Sequence, residues 1–237
     1  LAAELGEDTT TLAVEGRVMK ADVLAAAESA GVGRVPESNE LPPVRVNSLR
    51  RSIAANMLNS WHTSPRVVYT MPVDCTAMKE LRAQLKERGA AVSYNHIIMK
   101  VNMGLAVAKN DGLIVPNVKQ CEEKSLSEIA QATERLIEAV RSGSITMEDI
   151  TGGTFTITNL GNYGVTYFSP IINQPELAIL GVCAMADTPV VRDGEVVVRP
   201  MMNLCLSADH RVIDGVMGAA FLKRVCELLE NPCLLLL

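Results

Sequence analysis

The sequence predicts an α/β sandwich built on a mixed sheet, preceded by a small helical module. Three observations carry this. Along residues 45–237, stretches of period 2 and of period 3.6 are interleaved without a regular strand–helix–strand rhythm, which disfavours a doubly wound nucleotide fold. Residues 31–44 lose all periodicity and hold three prolines and two glycines, the composition of a linker. Of the 237 residues, 48% are hydrophobic and only 3% aromatic, enough for one sizeable core of Val, Ile, Leu, Ala and Met. The expected division is a helical module at 1–30, a linker at 31–44 and a main domain at 45–237.

In chain order, Asp22 suits the N-cap of a short helix through Val23, Leu24 and Ala27. Ile53, Met57 and Trp61 share one face of a helix at 49–61. Val67, Tyr69, Met71 and Val73 then alternate as a half-buried strand. Met78, Leu81 and Leu85 stand at helical spacing after Thr76. Ser125 and Glu128 form a capping-box pattern before the apolar stripe Leu126, Ile129, Leu136, Ile137 and Val140. Strands are expected at 154–159, 177–184 and 195–207, and a last helix at 216–230 that buries Phe221, Leu222, Val225 and Leu229. One join breaks the rules: helix-like 94–100 runs into strand-like 101–108 with no turn residue at the junction of Lys100 and Val101.

Composition excludes several functions. Lys and Arg total 22 against 27 acids, with no basic cluster interleaved with aromatics, so nucleic acid is not an expected partner. No apolar run approaches the roughly 18 residues of a membrane span, so no membrane partner is expected. The six cysteines lack the close spacing of zinc sites, and no metal is expected. With no leader pattern at the start and a core of this size, buried free thiols in a reducing compartment are expected rather than disulfides. Elbow, Walker, dinucleotide and zincin motifs are all absent from the sequence.

Three histidines remain as candidates for a base near neutral pH. His62 falls at a helix end, where a surface role is expected, and His96 on a helix face beside Asn95 reads as structural. His210 follows the strong strand and precedes Gly215 and a helix, in the kind of loop that displays catalytic side chains. Asp209, Arg211 and Asp214 crowd it, so its position alone fits either a base or a member of a surface charge cluster. Thr158 ends a Thr-rich strand just before Asn159, Gly161 and Gly164. Its hydroxyl suits donation to a developing oxyanion, or it is an ordinary strand threonine.

Together these segments resemble the E2 dihydrolipoyl acyltransferases of 2-oxo acid dehydrogenase complexes, which share a fold with chloramphenicol acetyltransferase. The residues that carry the resemblance are 207–215 with their His-x-x-x-Asp-Gly run, 152–164, 168–175 with 178–182, 111–116, and 50–57 with Ser60 and Trp61. The resemblance implies a chloramphenicol acetyltransferase-like two-layer sandwich. It implies transfer of an acyl group, acetyl in a pyruvate- or acetoin-type complex, between dihydrolipoamide and coenzyme A. His210 would be the base. Thr158 would stand where the family usually has a serine, with Asn159 and Gly161 lining the substrate. Asp214 would pair with Arg50 or Arg51.

The resemblance further implies a homotrimer with His210 of one subunit facing Thr158 of the next, assembling into a 24-mer or 60-mer core. The apolar residues Leu234–Leu237 suit such contacts. Residues 1–30 resemble a partial peripheral subunit-binding domain that would dock E1 or E3 through Arg17 and Lys20. The lipoyl group would belong to a domain not present in this chain. The place of work would be the bacterial cytoplasm, or else the mitochondrial matrix. The chain departs from the family at His96, where the family has an aspartate, and at the Lys100–Val101 join, where a whole segment is missing. A non-catalytic E3-binding scaffold and a free-standing CoA-dependent acetyltransferase are the alternatives. The retained His210 argues against the first, and the linker with its docking-like module against the second.

Overall fold

The computed structural model describes residues 20, 21, 25, 47–99, 104–109 and 112–236. The chain divides into two units, Leu1–Val46 and Asn47–Leu237. The expected Asp22 cap, Arg17, the linker and the Lys100–Val101 join lie outside the described residues. Lys20 is helical and exposed.

In the second unit, helix α1 (Ser48–Thr63) starts where the Asn47 side chain accepts the Arg50 amide. Strand β1 (Arg66–Asp74) and helix α2 (Thr76–Glu87) follow, then the short helix α3 (Tyr94–Met99). Next come the short strands β2 (Gly104–Leu105), β3 (Val107–Lys109) and β4 (Gly112–Ile114). Helix α4 (Leu126–Ser142) carries the expected capping box and ends on Gly143 at a left-handed φ of 78°. A single helical turn α5 (Met147–Ile150), strand β5 (Thr156–Asn159), the long hairpin β6 (Ala178–Arg192) and β7 (Glu195–Asp209), and helix α6 (Gly215–Glu230) complete the unit.

The main sheet has the order β1-β7-β6-β5-β2. β1, β7 and β6 pair antiparallel, while β6, β5 and β2 pair parallel, so the sheet is mixed as expected. Alternation splits its side chains between two faces. Ile157, Leu180, Val182, Leu204, Leu206 and Ala208 face the core with Met78, Ile97, Ile98, Ile129, Leu136, Leu222, Val225 and Leu229 from the helices. Thr158, Gly181, Cys205 and Thr70 are register partners across the sheet and share the opposite face.

Several expectations need correction. β6 runs on to Arg192, because Asp193 and Gly194 adopt φ of 53° and 84° and close a tight hairpin with β7. Trp61, on the α1 face it was expected to share with Ile53 and Met57, is 57% exposed and stacks on the Arg66 guanidinium at 4.2 Å. Phe221 is 36% exposed and lines a groove instead of sitting inside the core. All six cysteines are free, five of them buried.

Candidate active site

The loop after β7 is folded by its own polar groups. The Asp209 amide donates to Leu177 O (2.9 Å), and the Asp209 carbonyl accepts from the amides of Val212 (3.1 Å) and Ile213 (2.9 Å). The Asp209 carboxylate is inaccessible to solvent. The Arg211 guanidinium grips it from both Nε and Nη2, the shorter contact being 2.6 Å. Those bonds, then the Arg211 amide and the Ser64 hydroxyl, overcome the effect of burial and hold the acid down at about 2. A charge in this state is a structural rivet and not a proton carrier at neutral pH.

His210 is fixed between two elements. Its amide donates to Pro65 O at 2.9 Å, just ahead of β1, and its Nδ1 lies 2.9 Å from Ile213 O. A carbonyl oxygen can only accept, so the proton of the neutral ring belongs on Nδ1. Among the described residues Nε2 has no hydrogen-bond partner, and the side chain is exposed, an arrangement that suits a general base.

The expected pairing of Asp214 with Arg50 or Arg51 is not formed. No ion pair among the described residues joins them. The Asp214 carboxylate instead accepts the Met217 amide at 2.8 Å and is the N-cap of α6. Its carbonyl receives the Tyr69 hydroxyl at 3.3 Å, which ties α6 to β1. Arg50 and Arg51 are exposed in the first turn of α1.

Thr158 is half-buried near the end of β5. The turn that follows it is built on close approach. Asn159 donates through Nδ2 to Asn95 Oδ1 (2.6 Å) and accepts the Gly161 amide on Oδ1 (2.8 Å). A Cβ on Gly161 would stand 2.6 Å from Cys183 O, so no larger residue fits. Asn159 and Gly161 thus hold the turn, whatever else they do.

Within one chain, His210 and Thr158 are apart. Thr158 pairs with Gly181 and Gly181 with Cys205, five residues before His210. Ideal strand geometry therefore puts their backbone positions about 17 Å apart along the strands and about 10 Å across two strand spacings, hence about 19 Å in total.

Asn95 also lines a cleft of about 610 Å³ with Arg82, Lys86, Ser93 and His96. His96 is buried, its Nδ1 accepts the Ser93 amide at 3.2 Å, and burial lowers its pKa, consistent with a structural neutral histidine. No cluster of three metal-ligating side chains occurs among the described residues, and no described helix is long and apolar enough to cross a membrane.

The Asp209–Arg211 clamp is not among the expected site pairings, although two opposite charges flanking a histidine are its signal in the sequence. Glu176 is likewise absent from the expected residues. This buried carboxyl accepts the Thr156 hydroxyl at 2.6 Å and the Asn173 amide at 3.1 Å, and burial raises its pKa. It anchors the start of β6 to β5 on the Thr158 side of the sheet.

The catalytic-domain profile of the 2-oxoacid dehydrogenases acyltransferases matches residues 39–102 and 95–237. The dihydrolipoyllysine-residue acetyltransferase component of the pyruvate dehydrogenase complex of Staphylococcus epidermidis is 32% identical over 265 aligned positions, covering 98% of this chain and 60% of the relative. Its Staphylococcus aureus counterpart is 34% identical over 86% of this chain and 54% of the relative. The chain therefore spans between half and two thirds of these relatives. Among solved structures, the cubic core of the pyruvate dehydrogenase multienzyme complex aligns with a TM-score of 0.80 at 31% identity, covering 85% of this chain and 96% of that one. A probable dihydrolipoamide acetyltransferase from Listeria monocytogenes aligns with a TM-score of 0.76 at 30% identity, over 80% and 94%.

Proposed function

The chain belongs to the 2-oxoacid dehydrogenase acyltransferase family, and on that premise we propose that it transfers an acetyl group between coenzyme A and dihydrolipoamide as the core of a pyruvate dehydrogenase-type complex. The observation that carries this reading is the His210 ring, whose Nδ1 is occupied by Ile213 O while Nε2 is open. Nε2 takes the proton from the thiol of one partner as its sulfur attacks the thioester carbonyl of the other. The carbonyl oxygen becomes an oxyanion, and the Thr158 hydroxyl donates to it. The tetrahedral centre then collapses, the carbon–sulfur bond of the original thioester breaks, and the departing thiolate takes the proton back from the imidazolium. No covalent enzyme intermediate and no metal are required.

The separation of about 19 Å between His210 and Thr158 in one chain supports a site shared between subunits, as in a trimer. We assign further assembly to a multimeric shell, in keeping with the cubic-core relative. Asp214 acts as a positioning residue, by starting α6 directly after the carbonyl that holds His210. Asn159 and Gly161 shape the wall beside the oxyanion donor. Docking of E1 or E3 through Arg17 and Lys20 in residues 1–30 is part of the same reading, with the lipoyl group delivered by another domain. The curated relatives are bacterial, so we place the reaction in the cytoplasm.

The test is acetyl transfer from acetyl-CoA to free dihydrolipoamide. His210→Ala should lose roughly 10²–10⁴-fold in kcat. Equal rates in the two proteins would overturn the assignment.

A further inference from the structure

Helix α3 is six residues long, too short to be held by its own backbone bonds. Its second residue nonetheless fixes part of the candidate site. Asn95 Oδ1 accepts Asn159 Nδ2 at 2.6 Å, and Asn159 Oδ1 accepts the Gly161 amide at 2.8 Å. The turn directly after Thr158 is thus tied to the first turn of α3. A reciprocal pair of contacts starts that helix. The Ser93 hydroxyl accepts the His96 amide at 3.3 Å, and His96 Nδ1 accepts the Ser93 amide at 3.2 Å. This is the arrangement of a capping box, in which a glutamate or glutamine ordinarily supplies the second acceptor.

A histidine in that place adds a condition that glutamine does not. Nδ1 accepts only while it carries no proton, so the ring must be neutral with its hydrogen on Nε2, the opposite tautomer to that of His210. Protonation turns Nδ1 into a donor that faces the Ser93 amide, another donor. Burial holds the ring below its ordinary 6.5, and Glu134 of α4 opposes that shift. Arg82 and Lys86 of α2 line the same cleft. Arg82 lies over the Tyr94 ring at 4.9 Å, and its Nε donates to Val92 O at 3.2 Å. β2 and β5 carry no titratable side chain. Ile97 and Ile98, both fully buried, hold the far part of α3 in the core, which leaves the cap to govern the end that carries Asn95.

We propose that His96 is a positioning residue for the Thr158 turn: its neutral ring caps α3 and so holds Asn95 against Asn159, and a proton on the ring releases that hold. The folded ring titrates below its ordinary 6.5. The contribution of the cap is therefore complete above about pH 6.5 and is lost as the pH falls toward the folded value. The inference rests on the acyl-transfer reading for the role of Thr158, whereas the cap itself does not.

Two measurements on the assembled protein test it, each comparing wild type with His96→Gln, which keeps an acceptor at every pH. The first is hydrogen exchange over residues 93–99, followed by mass spectrometry and corrected for the intrinsic pH dependence of exchange. Between about pH 7.5 and about pH 5.5, opening linked to uptake of one proton can rise by up to about tenfold. A loss of protection of about threefold is expected in wild type and none in His96→Gln. An equal response in the two proteins overturns the proposal. The second is kcat for acetyl transfer, each protein set to its own rate at about pH 7.5. Every other titrating group is common to both, so the ratio of wild type to His96→Gln isolates His96. That ratio should fall about twofold by about pH 5.5, in kcat and not in KM. A flat ratio overturns the positioning role even where exchange responds. Failure of the acyl-transfer reading shows separately, as equal rates in wild type and His210→Ala. Should His96→Gln not fold, His96→Glu takes its place, because its carboxylate stays an ionised acceptor above about pH 4.3.

Discussion

The two ends of the sheet are built by different physics. At the His210 end, charge does the positioning. A buried carboxylate is gripped by Arg211, the helix cap Asp214 sets where α6 begins, and a ring nitrogen is held by a carbonyl. At the Thr158 end, volume does it. Gly161 lies against the backbone of β6, and Asn159 spans to Asn95. On the proposed function, the first end presents a base that must stay free to exchange a proton, so polar, fixed neighbours suit it. On the same proposal, the second presents a hydroxyl donor that needs only to be held still, so close packing suffices. Neither end contains both groups.

The largest expected effects test that division. Thr158→Val removes the donor and should lower kcat roughly 10²–10³-fold, while Thr158→Ser should keep most of it. Mixing subunits sharpens the point. Co-assembled His210→Ala and Thr158→Val chains should regain activity that neither variant has alone, because some interfaces then join an intact histidine to an intact threonine. Absence of any recovery in a verified mixed oligomer would contradict a shared site.

The next effect probes the charged end. Arg211→Met leaves the Asp209 carboxylate buried without its main partner and should cost about 2 kcal/mol of unfolding free energy by denaturant titration. Asp209 has its folded pKa depressed to about 2, below the ordinary 3.8. Its contribution is therefore full above about pH 4 and is lost as pH falls through 2. Without Arg211 the folded pKa loses its main depressing partner, so the stability that wild type loses between about pH 4 and about pH 2 should shrink in Arg211→Met, as seen by denaturant titration against pH.

The smallest effect tests the cap. Asp214→Ala should cost about 1 kcal/mol in stability and reduce kcat less than Thr158→Val does. A loss as large as that of His210→Ala would mean that Asp214 does more than start the helix.

Much of this was legible in the chain. The capping box at Ser125, the alternation in β1 and the stripe on α4 appear where their patterns put them, because each pattern is satisfied by its own segment. The Asp193-Gly194 turn is equally legible, as an Asp-Gly pair between valine-rich runs. The Asp214 cap is legible too, since an aspartate directly before a helix is a favoured N-cap. The exposure of Trp61 and Phe221 could not be read, because helical periodicity ranks faces by hydrophobicity and does not say which face has a neighbour.

The sequence by itself determined the family and the mixed α/β class, and it singled out His210 and Thr158 as candidates, because local patterns and a rare residue run are properties of adjacent positions. The tertiary structure decided which nitrogen of His210 is free, that Asp209 and not Asp214 holds an arginine, and how far His210 stands from Thr158. These depend on strand register and on the partners that folding supplies, and contacts between residues distant in sequence leave no local trace.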